Sequence, residues 1–307
     1  MKAIRFHEYG DPTVLRYEDV DVPVPAAGQV RLRVAATSFN PVDGNIRGGF
    51  MQGPIPVTLP HTPGIDVAGT IDALGEGVSG VEVGDAVIGF LPMVAPGASA
   101  EYAIAPAEAL TAAPSSIPLA DAAALPIVGL TAWQALFEHA KVTAGQRVLV
   151  NGAGGAVGDY AVQLAKAADA FVVATASPRS AGRVRTAGAD EVIDHTSEPV
   201  TVTEPVDVVL NLAPVDPAGL TGLLGLIRPG GVLVNTTVWM PAPSDDERGV
   251  RGVDLFVRSD AAQLADLAAR VDAGTLRVAV SERVPLAELP ELHARAATLS
   301  GKVVVLP

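Results

Sequence analysis

Gly152, Gly154, Gly155 and Gly158 follow directly on the apolar run Val148-Leu-Val-Asn and precede an amphipathic stretch beginning at Val157. Glycines at that spacing suit one kind of chemistry. They let a diphosphate lie against main-chain N–H groups at a helix N-terminus, where the dipole favours negative charge. A side chain at Gly155 would block the approach, and one at Gly158 would hold the helix off the strand. The segment reads A-x-G-x-x-G, because Ala153 stands where the strict dinucleotide fingerprint has its first glycine. A bare glycine turn is as often an ordinary loop. Here the strand before it and the helix after it make Gly154, Gly155, Ala156 and Val157 candidate phosphate-binding residues.

The end of the next strand selects the dinucleotide. NAD sites place Asp or Glu there to bind the ribose hydroxyls. This sequence has Ala174-Thr-Ala-Ser-Pro-Arg, with no acid before Asp190. A carboxylate would repel a 2′-phosphate, whereas Ser177 and Arg179 supply charge-assisted hydrogen bonds to one. NADPH is the expected cofactor; the competing reading of Arg179 is a solvated residue near a helix start. His195, after the third strand, is a candidate for the adenosine phosphate or a solvated histidine. Ligands lie outside the carboxyl ends of parallel strands, which makes Asn211-Leu212 and Thr236 further cofactor candidates.

The elements that position these residues fall into two kinds. The first third is β-rich: Gln29 to Ala36 alternates with period two, Val67 to Leu74 and Asp85 to Phe90 are short strands, and Gly-rich turns separate them, as in an antiparallel barrel-like module. After about Pro118 strands alternate with helices. Strands are expected at 147–151, 171–175, 191–194, 206–211 and 231–235, with helices at 119–125, 131–140, 157–168, 180–187 and 218–227. Such alternation implies a parallel sheet covered on both faces. The tail carries a helix at 261–272, a strand near 277–284, a helix at 286–299 and a last strand at 302–306.

Composition narrows the function. The 307 residues include 21 basic and 34 acidic ones, a net charge of −13, which argues against nucleic acid and anionic membranes as main partners. Cysteine is absent, so disulfides, thiolate metal sites and cysteine nucleophiles are excluded. Met1 to Gly10 has no apolar h-region, and no low-charge stretch runs uninterrupted by proline or acid for a membrane span; a cytoplasmic protein is expected. No Gly-x-Ser-x-Gly elbow occurs, which disfavours a hydrolase.

Several segments together carry a resemblance: Ser38-Phe-Asn-Pro-Val-Asp-Gly-Asn-Ile-Arg-Gly-Gly, Pro63-Gly-Ile-Asp-Val-Ala-Gly, Val83-Gly-Asp-Ala-Val-Ile-Gly, Gly129-Leu-Thr-Ala-Trp, Ala153-Gly-Gly-Ala-Val-Gly and Arg228-Pro-Gly-Gly-Val-Leu. In order and spacing the chain resembles the zinc-independent, zeta-crystallin-like quinone oxidoreductases of the medium-chain dehydrogenase/reductase superfamily. The resemblance implies an α/β fold in which a doubly wound Rossmann sheet, 119–259, is inserted in a GroES-like β-rich domain formed by 1–118 and 260–307. It also implies a homodimer joined through the Rossmann sheets and hydride transfer from NADPH to a quinone or α,β-unsaturated carbonyl. Zinc-dependent relatives use a cysteine near position 40 and Gly-His-Glu near position 65. This chain has Asn40 and Gly64-Ile65-Asp66, so no metal is expected.

Without zinc, hydrogen-bond donors must stabilise the developing oxyanion. Asn40 and Asn45 lie on the segment matching the family's substrate wall and carry amide donors. The resemblance implies Tyr in many relatives where Asn45 stands, and Asn40 also reads as a turn cap before Pro41. Asp43 is expected to orient the loop, Arg47 to meet an anionic ligand or a surface partner, and Thr131 to lie beside the nicotinamide or begin a helix. Phe50 is a pocket candidate, and Trp133 is assigned to packing. Two other functions compete: an enoyl-thioester reductase, which wants a basic groove not evident near the substrate loop, and a redox sensor that holds NADPH without turnover.

Overall fold

The computed structural model describes residues 1–197, 199–237 and 239–307. In chain order the elements are β1 (Lys2–Phe6), β2 (Leu15–Asp19), β3 (Gln29–Ser38), α1 (Pro41–Arg47), β4 (Asp66–Leu74), β5 (Ala86–Phe90), β6 (Tyr102–Pro106), β7 (Leu110–Ala112), α2 (Leu119–Ala122) and α3 (Pro126–Trp133). There follow β8 (Arg147–Asn151), α4 (Ala156–Ala167), β9 (Phe171–Ala176), α5 (Pro178–Thr186), β10 (Glu191–Asp194), β11 (Val206–Asn211), α6 (Pro217–Gly225), β12 (Ile227–Asn235) and β13 (Arg251–Asp254). The chain ends with α7 (Ala261–Asp272), β14 (Val280–Pro285), α8 (Leu289–Ala294) and β15 (Lys302–Leu306).

Two compact units form, one from Met1–Ile127 with Ser259–Pro307 and the other from Val128–Arg258. The division falls after Ile127 rather than Pro118, because α2 packs on β3 and β4 of the first unit. In that unit the strands run β14-β15-β3-β4-β5-β7, with β6 also paired to β3, and every pairing is antiparallel except β14 with β15. The alternation read in β3 is what the structure uses: Val30, Leu32 and Val34 point into a core with Val67, Ile71 and Val87. β1 and β2 pair separately as an antiparallel ribbon, and Ile4, Phe6 and Leu15 join Phe39, Val303 and Val305 in a second core.

The second unit is a six-stranded parallel sheet in the order β10-β9-β8-β11-β12-β13. That order reverses beside β8, the switch point at which ligands bind such sheets. Near-continuous apolar runs, such as Val148-Leu-Val and Val206 through Leu210, suit strands buried on both faces. The helix expected over 131–140 belongs to a longer one: α3 starts at Pro126 and continues as a π-helical stretch, Gln134–His139. The helix expected over 286–299 breaks into a 3₁₀ turn, α8 and another 3₁₀ turn. Pro290 cannot donate a main-chain hydrogen bond to Leu286, which is why no single helix spans the stretch.

Candidate functional site

The glycine turn leaves β8 through Gly152, whose φ of +91° lies in the left-handed region that glycine tolerates. Its N–H donates to Thr175 Oγ1 at 2.8 Å, tying the turn to β9. Gly155 caps α4 and is exposed. A Cβ there would meet nothing closer than the Gly152 carbonyl at 3.5 Å, so the surface above it is open. At Gly158 a Cβ would run into the Ala153 main chain, 2.6 Å from its carbonyl oxygen. The two glycines therefore do separate things: Gly158 seats the helix and Gly155 leaves main chain bare. Ala156 and Val157, half-exposed, open the helix with N–H groups that have no intrahelical acceptor.

β9 ends at Ala176, Ser177 caps α5, and no acid lies in the first turn of that helix. Arg179 is exposed and, among the described residues, makes no hydrogen bond or ion pair. Arg183, one turn on, donates from Nη2 to the Gly154 carbonyl at 2.6 Å. This fastens α5 to the glycine turn. The sequence reading passed over Arg183; its i+4 spacing from Arg179 on one helix face was the available signal. His195 is exposed beyond β10, and Thr131 is buried on α3.

Asn211, Leu212 and Thr236 are hydrogen-bonded to one another and to β8 at the strand ends. Asn211 is fully buried, and its amide is engaged at both ends: Oδ1 accepts from Asn151 Nδ2, while Nδ2 donates to Asn235 Oδ1 and the Ala213 carbonyl. Its carbonyl accepts from Thr236 N and Oγ1, and the Leu212 N–H donates to the Asn151 carbonyl. These groups form a hydrogen-bonded floor across the strand ends. The Asn211 side chain is thereby removed from the set of cofactor ligands, since both its polar atoms are satisfied within the protein.

In the first unit Asn40 precedes α1. Its N–H donates to Asp43 Oδ2 at 3.0 Å, and Asp43 Oδ1 accepts from the Gly64 N–H at 3.0 Å. Asp43 thus orients the loop, as expected, and burial pushes its carboxyl up to about 7 against those two hydrogen bonds. The Asn40 amide is buried and donates to Asp66 Oδ2 at 3.0 Å, while its oxygen accepts from the Lys302 ammonium. This corrects the reading of Asn40 as an oxyanion donor: its amide is consumed inside the unit. Asn45, half-buried on α1, has no side-chain hydrogen bond among the described residues. Arg47, read as meeting either an anionic ligand or a surface partner, donates instead to the Gly10 carbonyl and contacts His293 Nδ1. Phe50 is exposed, and Trp133 packs edge-on against Phe137.

Comparison with known proteins finds the same organisation elsewhere. Residues 26–115 match the alcohol dehydrogenase GroES-like domain, and residues 187–305 match the zinc-binding dehydrogenase family. A quinone oxidoreductase of Lama guanicoe is 35% identical over 100% of this chain and 97% of its own length. The chain belongs to the quinone oxidoreductases of the medium-chain dehydrogenase/reductase superfamily. Among solved structures, the quinone oxidoreductase from Coxiella burnetii superposes with a TM-score of 0.92 at 30% identity, covering 100% of this chain and 99% of the other. The CurK enoyl reductase does so with a TM-score of 0.83 at 26% identity, covering 99% and 98%.

Part of this superfamily binds zinc, and the residues of this quinone oxidoreductase do not fit that metal. There is no cysteine in the chain. Among the described residues no group of three or more His, Cys, Asp and Glu could hold a metal ion. Where zinc relatives have cysteine and histidine, Asn40 and Ile65 stand, and the Lys302 Nζ lies between Asn40 and Asp66. Burial pulls the Lys302 ammonium below its ordinary pKa, opposed by the charges of Asp66 and Asp43. The sequence reading did not single out Lys302. A lone cation opening the apolar strand Lys302-Val-Val-Val-Leu was the signal, because a charge so placed requires a buried counter-ion.

Proposed function

We propose that this quinone oxidoreductase is NADPH-dependent and zinc-independent, and reduces quinones or α,β-unsaturated carbonyl compounds of small hydrophobic type. The observation that carries the cofactor reading is the pairing of an open Gly155 cradle with an acid-free, cation-bearing entry to α5. The bare N–H groups of Ala156 and Val157 suit a diphosphate, and Ser177 with Arg179, which has no partner among the described residues, suits a 2′-phosphate. Thr131, Thr236 and the Leu212 main chain are the remaining candidate cofactor contacts, with His195 toward the adenosine phosphate.

When bound, the nicotinamide supplies a hydride equivalent. What the chain must add is a donor to the oxygen that gains charge in the acceptor, and the Asn45 amide is free to be that donor. No acid–base residue is required for this role, since water can supply the proton to a quinol or enol oxygen. The similarity to an enoyl reductase supports including enoyl thioesters among the acceptors. We further expect a homodimer joined through the parallel sheets, with β13, one of the two edge strands, as the surface of association. No described helix is long and apolar enough to cross a membrane.

The test is disappearance of reduced-nicotinamide absorbance with NADPH or NADH against a panel of quinones, enones and enoyl thioesters, with and without chelator. Faster turnover with NADPH, indifferent to chelator, is expected. Tight NADPH binding without turnover on any acceptor would make the chain a redox sensor instead.

A further inference from the structure

Lys302 opens β15 with its side chain 3% exposed, and Asp66 on β4 is fully buried. An ammonium ion is costly to bury unless it meets an anion and its remaining donors are satisfied. The three Nζ donors of Lys302 meet three oxygens: Asp66 Oδ2 at 3.2 Å, the Phe39 carbonyl at 3.4 Å and, in a short contact, Asn40 Oδ1. Asp66 is saturated in turn. Its Oδ2 also accepts from Ser38 Oγ and Asn40 Nδ2, and its Oδ1 accepts from the Ile127 N–H at 2.8 Å. An all-oxygen shell of this kind suits a hard cation, whereas zinc sites use thiolate and imidazole ligands.

Two of the three oxygens belong to the Phe39-Asn40 step that leads into α1, the helix carrying Asn45. We propose that the Lys302 ammonium is a built-in cation that takes over the positioning part of the metal's role, tying the Ser38–Asn45 segment to Asp66 and so setting where the Asn45 amide stands. Stability alone is a poor account of the pair, because buried ion pairs commonly contribute no more than well-packed apolar side chains of the same volume. Lys302 touches no substrate; it is a positioning residue.

The inference rests on the reading of the chain as a metal-free reductase. Failure of that reading appears in the wild-type protein, as absent turnover or as activity abolished by chelator. Failure of the inference appears in variants of an active wild type. Lys302→Ala deletes Cγ, Cδ, Cε and Nζ, which propylamine replaces atom for atom and propanol replaces without the charge. In the full-length variant the acceptor KM is expected to rise roughly tenfold or more, as displaced donors do, while the NADPH Kd stays within about twofold. Millimolar propylamine restores both the acceptor KM and the melting temperature, and propanol restores neither. A folded Lys302→Ala with wild-type acceptor KM, or equal rescue by propanol, overturns the proposal. Should Lys302→Ala not fold, the charge-neutral double variant Lys302→Met with Asp66→Asn decides. A raised acceptor KM supports the built-in cation, and an unchanged KM overturns it.

Discussion

Asn151 and Asn211 end neighbouring parallel strands as register partners, and the Asn151 Nδ2 donates to the Asn211 Oδ1 at 2.8 Å in a buried setting. Thr175 extends the row on one side by donating to Asn151 Oδ1, and Asn235 and Asp254 extend it on the other. Five strand ends of the sheet are therefore laced together at the edge where a dinucleotide is expected. Asn211→Leu leaves the Asn151 amide without its acceptor and Asn235 Oδ1 with Thr237 alone. An unsatisfied buried polar group costs roughly 1–3 kcal/mol. Urea unfolding should show a loss of that size; a change within the error of the midpoint would mean the row contributes nothing to stability.

The glycine turn separates a seating role from a binding role. Gly158→Ala puts a methyl against Ala153 main chain, which cannot move without lifting α4 from β8. Both stability and nucleotide affinity should fall, the former by roughly 1–3 kcal/mol, as overpacked sites do. Gly155→Ala meets only ordinary contact at 3.5 Å and has a φ of −84° that alanine adopts freely. Its melting temperature should match the wild type while NADPH affinity, followed by fluorescence titration, drops. Equal affinity in Gly155→Ala and wild type would remove the diphosphate from this turn.

Much of this arrangement was legible in the residues. The strands Arg147–Asn151 and Lys302–Leu306 and the helix Ala261–Asp272 lie where the apolar period and their flanking signals place them. α1 was not foreseen, because Pro41-Val-Asp-Gly-Asn-Ile-Arg has too little apolar periodicity and is held by the Asn40–Asp43 cap instead. β1, β2, β6 and β13 are short, and their pairing is set by distant partners, as when Gln29–Arg33 takes β6. The site divided the same way. Local contacts within the glycine turn could be read directly, whereas the Asp66–Lys302 pair spans 236 residues and no spacing rule reaches it.

Among the described residues Arg179 makes no hydrogen bond or ion pair, which leaves its guanidinium available to a ligand. Replacing it by alanine removes a charge-assisted contact to a 2′-phosphate and touches no group that NADH possesses. NADPH binding should weaken by roughly 1.5–3 kcal/mol, the range for hydrogen bonds to charged groups, with NADH affinity unaltered. Calorimetric titration with both dinucleotides checks this. Arg183→Ala should behave differently, loosening the Gly154 carbonyl and weakening both dinucleotides alike. An Arg179→Ala variant that loses NADH and NADPH affinity equally would assign Arg179 to the diphosphate and not to cofactor choice.

His61 gives the fold a sensitivity to acid. It is buried edge-on against Phe6, with ring centroids 5.4 Å apart, and burial lowers its pKa from 6.5 to about 4. The unfolded chain takes up a proton near the ordinary histidine value, while the native state refuses it until about 4. Stability contributed by this site is therefore full above the unfolded value and falls as the pH drops through that window. By linkage the loss is roughly 2 kcal/mol at about pH 5. His293, lowered to about 3 by burial and by Arg47, acts in the same sense, whereas the raised Asp43 acts in the opposite one. The informative quantity is thus the difference between two proteins. His61→Phe keeps an aromatic ring against Phe6 and removes the titration, so its unfolding free energy should fall less than that of the wild type as the pH is lowered from neutrality. Parallel pH profiles for the two would show that His61 is protonated in the folded state and that its burial does not govern its charge.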